Sequence, residues 1–235
     1  MKRKLKIGII GTGNIGEALI RHFTRLGHEV AMANSRGPQS LGDLAKQTGA
    51  KPVSAADAAR GRDLVVVTIP EGHIPKLPPG MFKDASKDLI VIDTGNYYPR
   101  QRDGRINGIE DGLLESRWVE QQLGHPVIKV FNNIHAEHLA KFGKPAGTPG
   151  RLALPVSGDD AKAKAVVMDL VNDIGFDAVD TGGLDESWRQ QPGTPVYGAD
   201  LDAAGVRRAL AEATRERNPE WHGTPKSPGT FEAPA

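Results

Sequence analysis

The sequence predicts a doubly wound α/β fold: a Rossmann-type, mainly parallel sheet of about eight strands with a small C-terminal extension. Three observations predict it. Short apolar runs alternate with stretches of helical spacing over the first three quarters of the 235 residues. Several runs are continuously apolar, as in strands buried on both faces of a parallel sheet. A glycine-rich turn, GTGNIG, joins the first run to the first helix.

The strands are read at LKIGII (5–10), EVAMAN (29–34), KPVS (51–54), DLVVVTIP (63–70), LIVIDTGN (89–96), VIKVFNNI (127–134), RLALPVSG (151–158) and FDAVDTG (176–182). Between them, residues 14–27 place Ile15, Leu19, Phe23 and Leu26 on one helical face. Residues 40–48 place Leu41, Leu44 and Thr48 together and stop at Gly49. Asp159 or Asp160 starts a third helix, with Val166, Leu170 and Ile174 on its core face and Gly175 at its end. The alternation fades after residue 183, and DAAGVRRALAEATRER (202–217) reads as one more helix with a solvated basic face. The expected organisation is a dinucleotide-binding domain at 1–183, an extension packed on it at 184–217, and a Pro- and Gly-rich flexible tail at 218–235.

Composition sets limits. A formal net charge of +1 provides no basic field for nucleic acid. The absence of cysteine excludes disulfides, thiolate chemistry and Cys-based metal sites. The start, MKRKLKIGIIG, is basic and then apolar, but the apolar run is about five residues, short of a signal h-region of roughly 7–15. No run approaches the roughly 18 apolar residues of a membrane span. A cytoplasmic location, with no membrane or nucleic-acid partner, is the expectation.

The turn carries the chemistry. Gly11, Gly13 and Gly16 spell G-x-G-x-x-G between a strand and a helix. The first glycine permits the tight turn, the second lets a pyrophosphate approach the backbone, and the third lets helix and sheet pack closely. The helix start offers free N–H groups and partial positive charge to phosphates. About twenty residues on, a site for NAD carries an acid that grips the ribose 2′-hydroxyl. VAMANSRGPQS (30–40) has Asn34, Ser35 and Arg36 there instead. An acid would repel a 2′-phosphate, whereas a serine hydroxyl and a guanidinium bind it. The pattern points to NADP(H).

No proton donor stands out. The Tyr-x-x-x-Lys pair of short-chain reductases is missing: Tyr97 and Tyr98 are followed four residues later by Gln101 and Arg102, and Tyr197 by Leu201. Only about fifty residues follow residue 183, too few for the helical domain of β-hydroxy-acid dehydrogenases. Hydride exchange with a flavin-like ring needs mainly stacking and orientation.

GTGNIGEAL, NSR, VVVTIP, DTGN, KVFNNI and PVSGDDAKAKAVVMDLVNDIGFDAVDTGGL together resemble the NADP oxidoreductases related to the coenzyme F-420-dependent reductase. That group includes the NADPH-binding domain of STEAP metalloreductases and small bacterial dinucleotide-binding enzymes. The resemblance spans about residues 5–185, and VFNNI followed by SGDD is its most specific part. It implies that Gly11, Thr12, Gly13, Asn14 and Ile15, with Gly16 behind them, cradle the pyrophosphate. It also implies that Ser35 and Arg36, beside Asn34, take the 2′-phosphate. Thr68, Ile69 and Pro70 would border the ribose and diphosphate. Asn96, Asn132 and Asn133 would open on the same crevice, with Asn132 or its backbone near the nicotinamide. A flavin or deazaflavin co-substrate and a homodimer are further implications.

Two segments depart from the archetype: the arginine-rich 97–124 and the stretch 185–202, both expected to shape the acceptor site. They leave open a reductase of a small imine, carbonyl or quinone, and a noncatalytic NADP(H) sensor. Catalytic residues are not identified; Asn132 and His135 are the candidates, His135 as proton relay or ring contact. His135, Glu137 and His138 have ligand spacing, but an ordinary helix start is the preferred reading, so no metal is expected. Asp93 is read as structural. Trp188 either stacks on a planar acceptor or serves as a core aromatic, and Tyr97 and Tyr98 share that ambiguity.

Overall fold

Alternate residues of β1 (Lys6–Ile10) enter two different cores. Ile7 and Ile9 face a layer with Leu19, Phe23, Val167 and Val171, while Ile10 faces a layer with Ala58, Trp118 and Val119. That two-sided burial is why the strands read as unbroken apolar runs. The computed structural model describes residues 3–216 and 229–235.

β1 leads through the glycine turn into α1 (Asn14–Arg25), then to β2 (Glu29–Ala33), α2 (Gly42–Thr48), the short β3 (Lys51–Pro52), α3 (Ala55–Ala59) and β4 (Leu64–Val67). β5 (Ile90–Asp93) follows a 3-10 turn at Glu71–Lys76. The segment after β5 holds a π-helical turn at Pro99–Asp103, then α4 (Asn107–Glu110) and α5 (Glu115–Leu123), and returns to β6 (Ile128–Lys129). Six strands make one parallel sheet in the order β3-β2-β1-β4-β5-β6. This is the Rossmann order, with its switch point between β1 and β4.

The remaining strands refine the expected sheet of about eight strands into six plus two. After α6 (Ala136–Lys141), β7 (Ala153–Val156) and β8 (Asp177–Asp180) form a separate parallel pair linked by α7 (Ala161–Asp173). The pair meets the main sheet at one antiparallel bridge, Lys129 to Ser157. Main-sheet pairing stops there because Phe131 turns left-handed, at φ 66°, and carries the chain out of the strand direction. α8 (Ala203–Glu212) covers β7 and β8, with Val206, Ala209 and Leu210 packed on Ala153 and Val179.

Other expectations shift locally. The helix expected at 202–217 spans Ala203–Glu212, and its Arg207 and Arg208 are exposed. On α7 the buried apolar residues are Val167, Leu170 and Val171; the expected Ile174 is buried just past the helix and Val166 is half-buried against the same core. The helix begins at Ala161 behind the Asp160 cap, one of the two starts expected. α3 and α5 have no counterpart in the sequence reading. AADAA carries no large apolar side chain, and Ser54 caps it by accepting from Asp57 N at 3.1 Å. Residues 218–228 of the expected tail, with residue 217 before them, lie outside the described residues. Residues 229–235 rest on the 97–105 segment: Arg100 Nε donates to Gly229 O at 2.8 Å and Ala235 N to Arg100 O at 3.0 Å. Among the described residues, no helix is long and apolar enough to cross a membrane.

Glycine spacing decides how closely α3 sits. A Cβ on Gly8 would lie 1.8 Å from Ala58 O, whereas one on Gly13 would meet nothing within 4 Å. Gly8→Ala is therefore expected to cost about 1–3 kcal/mol of unfolding free energy by overpacking. Gly13→Ala, at an ordinary φ of −72°, should leave stability within about 0.5 kcal/mol of the parent in urea denaturation.

Candidate active site

The glycine turn sits at the carboxyl ends of β1 and β4. Gly11 has φ 110°, and a Cβ there would come 2.1 Å from Thr68 O. A Cβ on Gly16 would come equally close to Gly11 O, at 2.1 Å. Gly11 and Gly16 are thus packing glycines, while exposed Gly13 leaves open space above the turn. α1 begins with no side-chain cap, so its first-turn N–H groups remain available to an anion. Asn14 is exposed, and Thr12 and Ile15 are half-buried beside it.

Asn34 organises the loop after β2. Its Oδ1 accepts from Arg36 N at 3.0 Å, and its Nδ2 donates to Ser40 Oγ at 3.0 Å and to Thr12 Oγ1 at 3.4 Å. The loop is thereby pinned to the glycine turn. Ser35 and Arg36 stand exposed on it, and the Arg36 guanidinium has no carboxylate partner among the described residues. A dianion meeting that guanidinium displaces no existing ion pair. The open turn, the uncapped helix start and this free cation fit a dinucleotide carrying a 2′-phosphate.

Thr68, Ile69 and Pro70 continue β4 as a half-buried rim, and Thr68 N is held by Ile10 O at 2.9 Å. Asn96 and Asn132 meet across the ends of β5 and β6. Asn96 Nδ2 donates to Asn132 O at 2.9 Å, and Asn132 Nδ2 donates to Asn96 Oδ1 at 3.0 Å and Gln190 O at 2.7 Å. Gln190 Nε2 completes the set at Asn132 Oδ1, 2.7 Å. The Asn132 amide is fully engaged, so in this arrangement it positions its neighbours. His135 is exposed at the start of α6, edge-on to His138 at 5.3 Å, and His138 Nδ1 pairs with Asp200.

The two segments expected to shape an acceptor site do meet. Tyr98, from the 97–124 segment, and Tyr197, from 185–202, share a hydroxyl–hydroxyl hydrogen bond. Arg102 lies over the Tyr98 ring at 5.2 Å and donates to Asn96 O at 2.6 Å. Gly198 N donates to Asn133 O at 2.8 Å, which brings Tyr197 to the end of β6. Burial raises both phenols above their ordinary value, so they remain protonated donors through the neutral range. Tyr97 instead is fully buried, donating to Glu110 Oε1 at 2.9 Å. Trp188 is buried, with Arg189 and Arg215 over its ring at 4.5 and 5.2 Å.

Beneath this surface lies a buried charge cluster that the sequence reading missed. Lys129 is 0% exposed; its Nζ donates to Asp93 Oδ2 at 3.0 Å and Gly95 O at 2.7 Å. Asp93 also accepts from Ser116 Oγ at 2.9 Å and Gly95 N at 2.7 Å. Glu71 and Glu115 are buried nearby, and both Glu71 carboxyl oxygens lack a hydrogen-bond partner. Desolvation, then Glu115, pushes the Glu71 carboxyl well above its ordinary range, while Lys129 and the backbone leave Asp93 paired. Burial opposes the Lys129 charge, but Asp93, Glu71 and Glu115 outweigh it and hold the ammonium above its ordinary value. The available signal was Lys129 itself, a cation inside an apolar strand run, which demands a buried partner.

Comparison with known proteins agrees with this geometry. Residues 6–97 match the family described as NADP oxidoreductase coenzyme F420-dependent. The chain is similar to this family over that region. The match ends at Tyr97, where the 97–124 segment begins. The protein YjhV of Escherichia coli K12 is 52% identical over 71 residues, 30% of this chain. The chain spans about half the length of that curated relative, 52%. Among solved structures, hypothetical protein SMa0349 from Sinorhizobium meliloti is 31% identical with a TM-score of 0.70, over 83% of this chain and 94% of that one. A structure from Arthrobacter sp. FB24, described as a candidate F420-dependent NADP reductase, is 25% identical with a TM-score of 0.64, over 78% and 87%.

Two outcomes test the buried cluster. Lys129→Met leaves Asp93 unpaired and is expected to cost roughly 3–5 kcal/mol in chemical denaturation. For Glu71, a raised folded pKa means that the folded state holds a proton the unfolded chain gives up. Stability is then full at acid pH and falls as pH rises from the ordinary carboxylate range through the folded value. Glu71→Gln should flatten that decline in thermal melts across pH; an unchanged slope would show that Glu71 does not carry it.

Proposed function

We propose that the protein is an NADP(H)-dependent oxidoreductase exchanging hydride between NADPH and a planar acceptor, a flavin or deazaflavin ring first among them. The observation that carries the cofactor choice is Arg36, exposed and without an ion pair among the described residues, where an NAD site would hold an acid. In this reading Gly11, Thr12, Gly13, Asn14, Ile15 and Gly16 receive the pyrophosphate against the α1 N-terminus. Ser35 and Arg36 take the 2′-phosphate, and Asn34 holds them in place through Arg36 N at 3.0 Å. Thr68, Ile69 and Pro70 border the ribose.

NADP(H), when bound, supplies or receives the hydride. The chain's part is orientation and exclusion of water. Asn132 and Asn96 fix the ends of β5 and β6 relative to each other, and Gln190 fixes the C-terminal extension onto them. Tyr98 and Tyr197 wall the acceptor's place, with His135 at its edge. The described identity of the Arthrobacter structure supports a deazaflavin acceptor. The Tyr98–Tyr197 hydroxyl pair favours a second reading, reduction of a small imine, carbonyl or quinone, because it offers a proton beside the crevice.

Arg36→Asp is expected to weaken NADP binding by about tenfold to a hundredfold while leaving NAD binding nearly unchanged. Equal losses in calorimetry would reject the 2′-phosphate contact. The activity is read from NADPH absorbance against deazaflavin, FMN, FAD, riboflavin, quinones and ferric chelates. Turnover with a planar ring supports the proposal. Tight NADPH binding without turnover on any of them would instead support a redox sensor.

A further inference from the structure

Between β5 and α4 the chain makes a single π-helical turn, Pro99–Asp103. Isolated turns of this kind are rare and cluster at functional sites. This one has little to hold it from within. Arg102 N and Asp103 N share one acceptor, Tyr98 O, at 2.9 and 3.0 Å, and Gly104 N donates to Pro99 O at 3.0 Å. One set of outer contacts runs toward the crevice. Arg102 donates to Asn96 O and lies over the Tyr98 ring, while Asp103 accepts from Tyr98 N at 2.7 Å and from Gly72 N at 3.1 Å.

The other set runs to residues 229–235. Ala235 N donates to Arg100 O at 3.0 Å, Arg100 Nε to Gly229 O at 2.8 Å, and Arg105 N to Phe231 O at 3.2 Å. The Arg105 guanidinium lies over the Phe231 ring at 5.7 Å. Residues 229–235 also have a shape of their own. Thr230 N donates to Ala233 O at 3.0 Å, and Thr230 Oγ1 accepts from Ala233 N at 3.1 Å and Glu232 N at 3.3 Å, the local bonding of a hydroxyl-led turn. The seat is tight. Gly229 is buried, and a Cβ on it would lie 2.3 Å from both Arg100 O and Ala235 N. Only glycine allows backbones to approach that closely.

We infer that residues 229–235 are a strap that holds the π-turn and, through it, the Tyr98–Arg102 wall of the crevice. The strap gives partners to Arg100 O and Arg105 N, backbone groups on either side of the turn that the turn itself does not pair. With the strap seated, Tyr98 is kept beside Tyr197. With it lifted, the turn loses its outer support and the wall loosens. That the wall receives an acceptor rests on the proposed function; the hold on the turn does not.

Gly229→Val in the full chain unseats the strap without touching the crevice, and amide-resolved hydrogen exchange reads the result. Exchange at Tyr98, Arg102, Asp103 and Gly104, whose partners lie within the turn, is expected to quicken by at least about tenfold, with the β1 amides as protected as in the parent. If Gly229→Val fails to fold, Gly229→Ala, whose Cβ meets the same two atoms, decides. Unchanged exchange would overturn the inference. So would quickening at Arg105 alone, whose partner is Phe231, because the segment would then rest on the turn without holding it. NADPH affinity by calorimetry should stay unchanged, and KM for a planar acceptor that the parent turns over should rise about threefold to tenfold. A matching loss of NADPH affinity would place the effect outside the wall and overturn the strap as well. Absence of turnover in the parent would count against the proposed function alone, and the exchange result would still decide on the strap.

Discussion

A single buried ammonium, Lys129, joins three parts of the molecule at the carboxyl edge of the sheet. Its backbone bridges the main sheet to Ser157 and so to the β7–β8 pair. Its side chain holds Asp93 and the Gly95 carbonyl at the end of β5. Asp93 in turn holds Ser116 on α5, which anchors the 97–124 segment. A charge taken from water is tolerated only with such partners, and removing one leaves the other exposed to the full desolvation cost. The surface above the cluster, with Asn96, Asn132 and the tyrosine pair, inherits its shape from that constraint.

The two halves of the candidate site are built on different physics. The cofactor half is steric and local: glycines at three positions decide which atoms approach, and one asparagine pins the Arg36 loop to the turn. The half proposed for the acceptor is assembled from distant segments held by polar side chains. Asn132 with Gln190, and Tyr98 with Tyr197, bring residues 58 and 99 positions apart into contact. A small change in the 97–124 or 185–202 segments would therefore alter that half while leaving the glycine turn intact.

The same division explains what was legible in the sequence. The eight strand positions and the G-x-G-x-x-G turn were readable because apolar runs and glycine spacing are local signals. The split into six and two strands was not, since it depends on Phe131 turning left-handed. α3 was hidden because its Ala-rich segment carries no amphipathic stripe, and α5 because its inward face mixes Trp118 and Val119 with buried Glu115 and Ser116. The engagement of Asn132 could not be read from its position at a strand end; its partner Gln190 lies in a segment with no repeating pattern. Glu71 follows a strand like many surface acids, and only the packing of α5 and Gly95 around it shows that it is buried.

In the proposed function, the crevice at the β1–β4 switch point takes a dinucleotide with a 2′-phosphate. Calorimetric titration of the unaltered protein with NADPH and with NADH tests it most directly. NADPH is expected to bind at least about tenfold tighter, the contribution of charge-assisted contacts from Ser35 and Arg36. Equal affinities, or no binding of either, would contradict it.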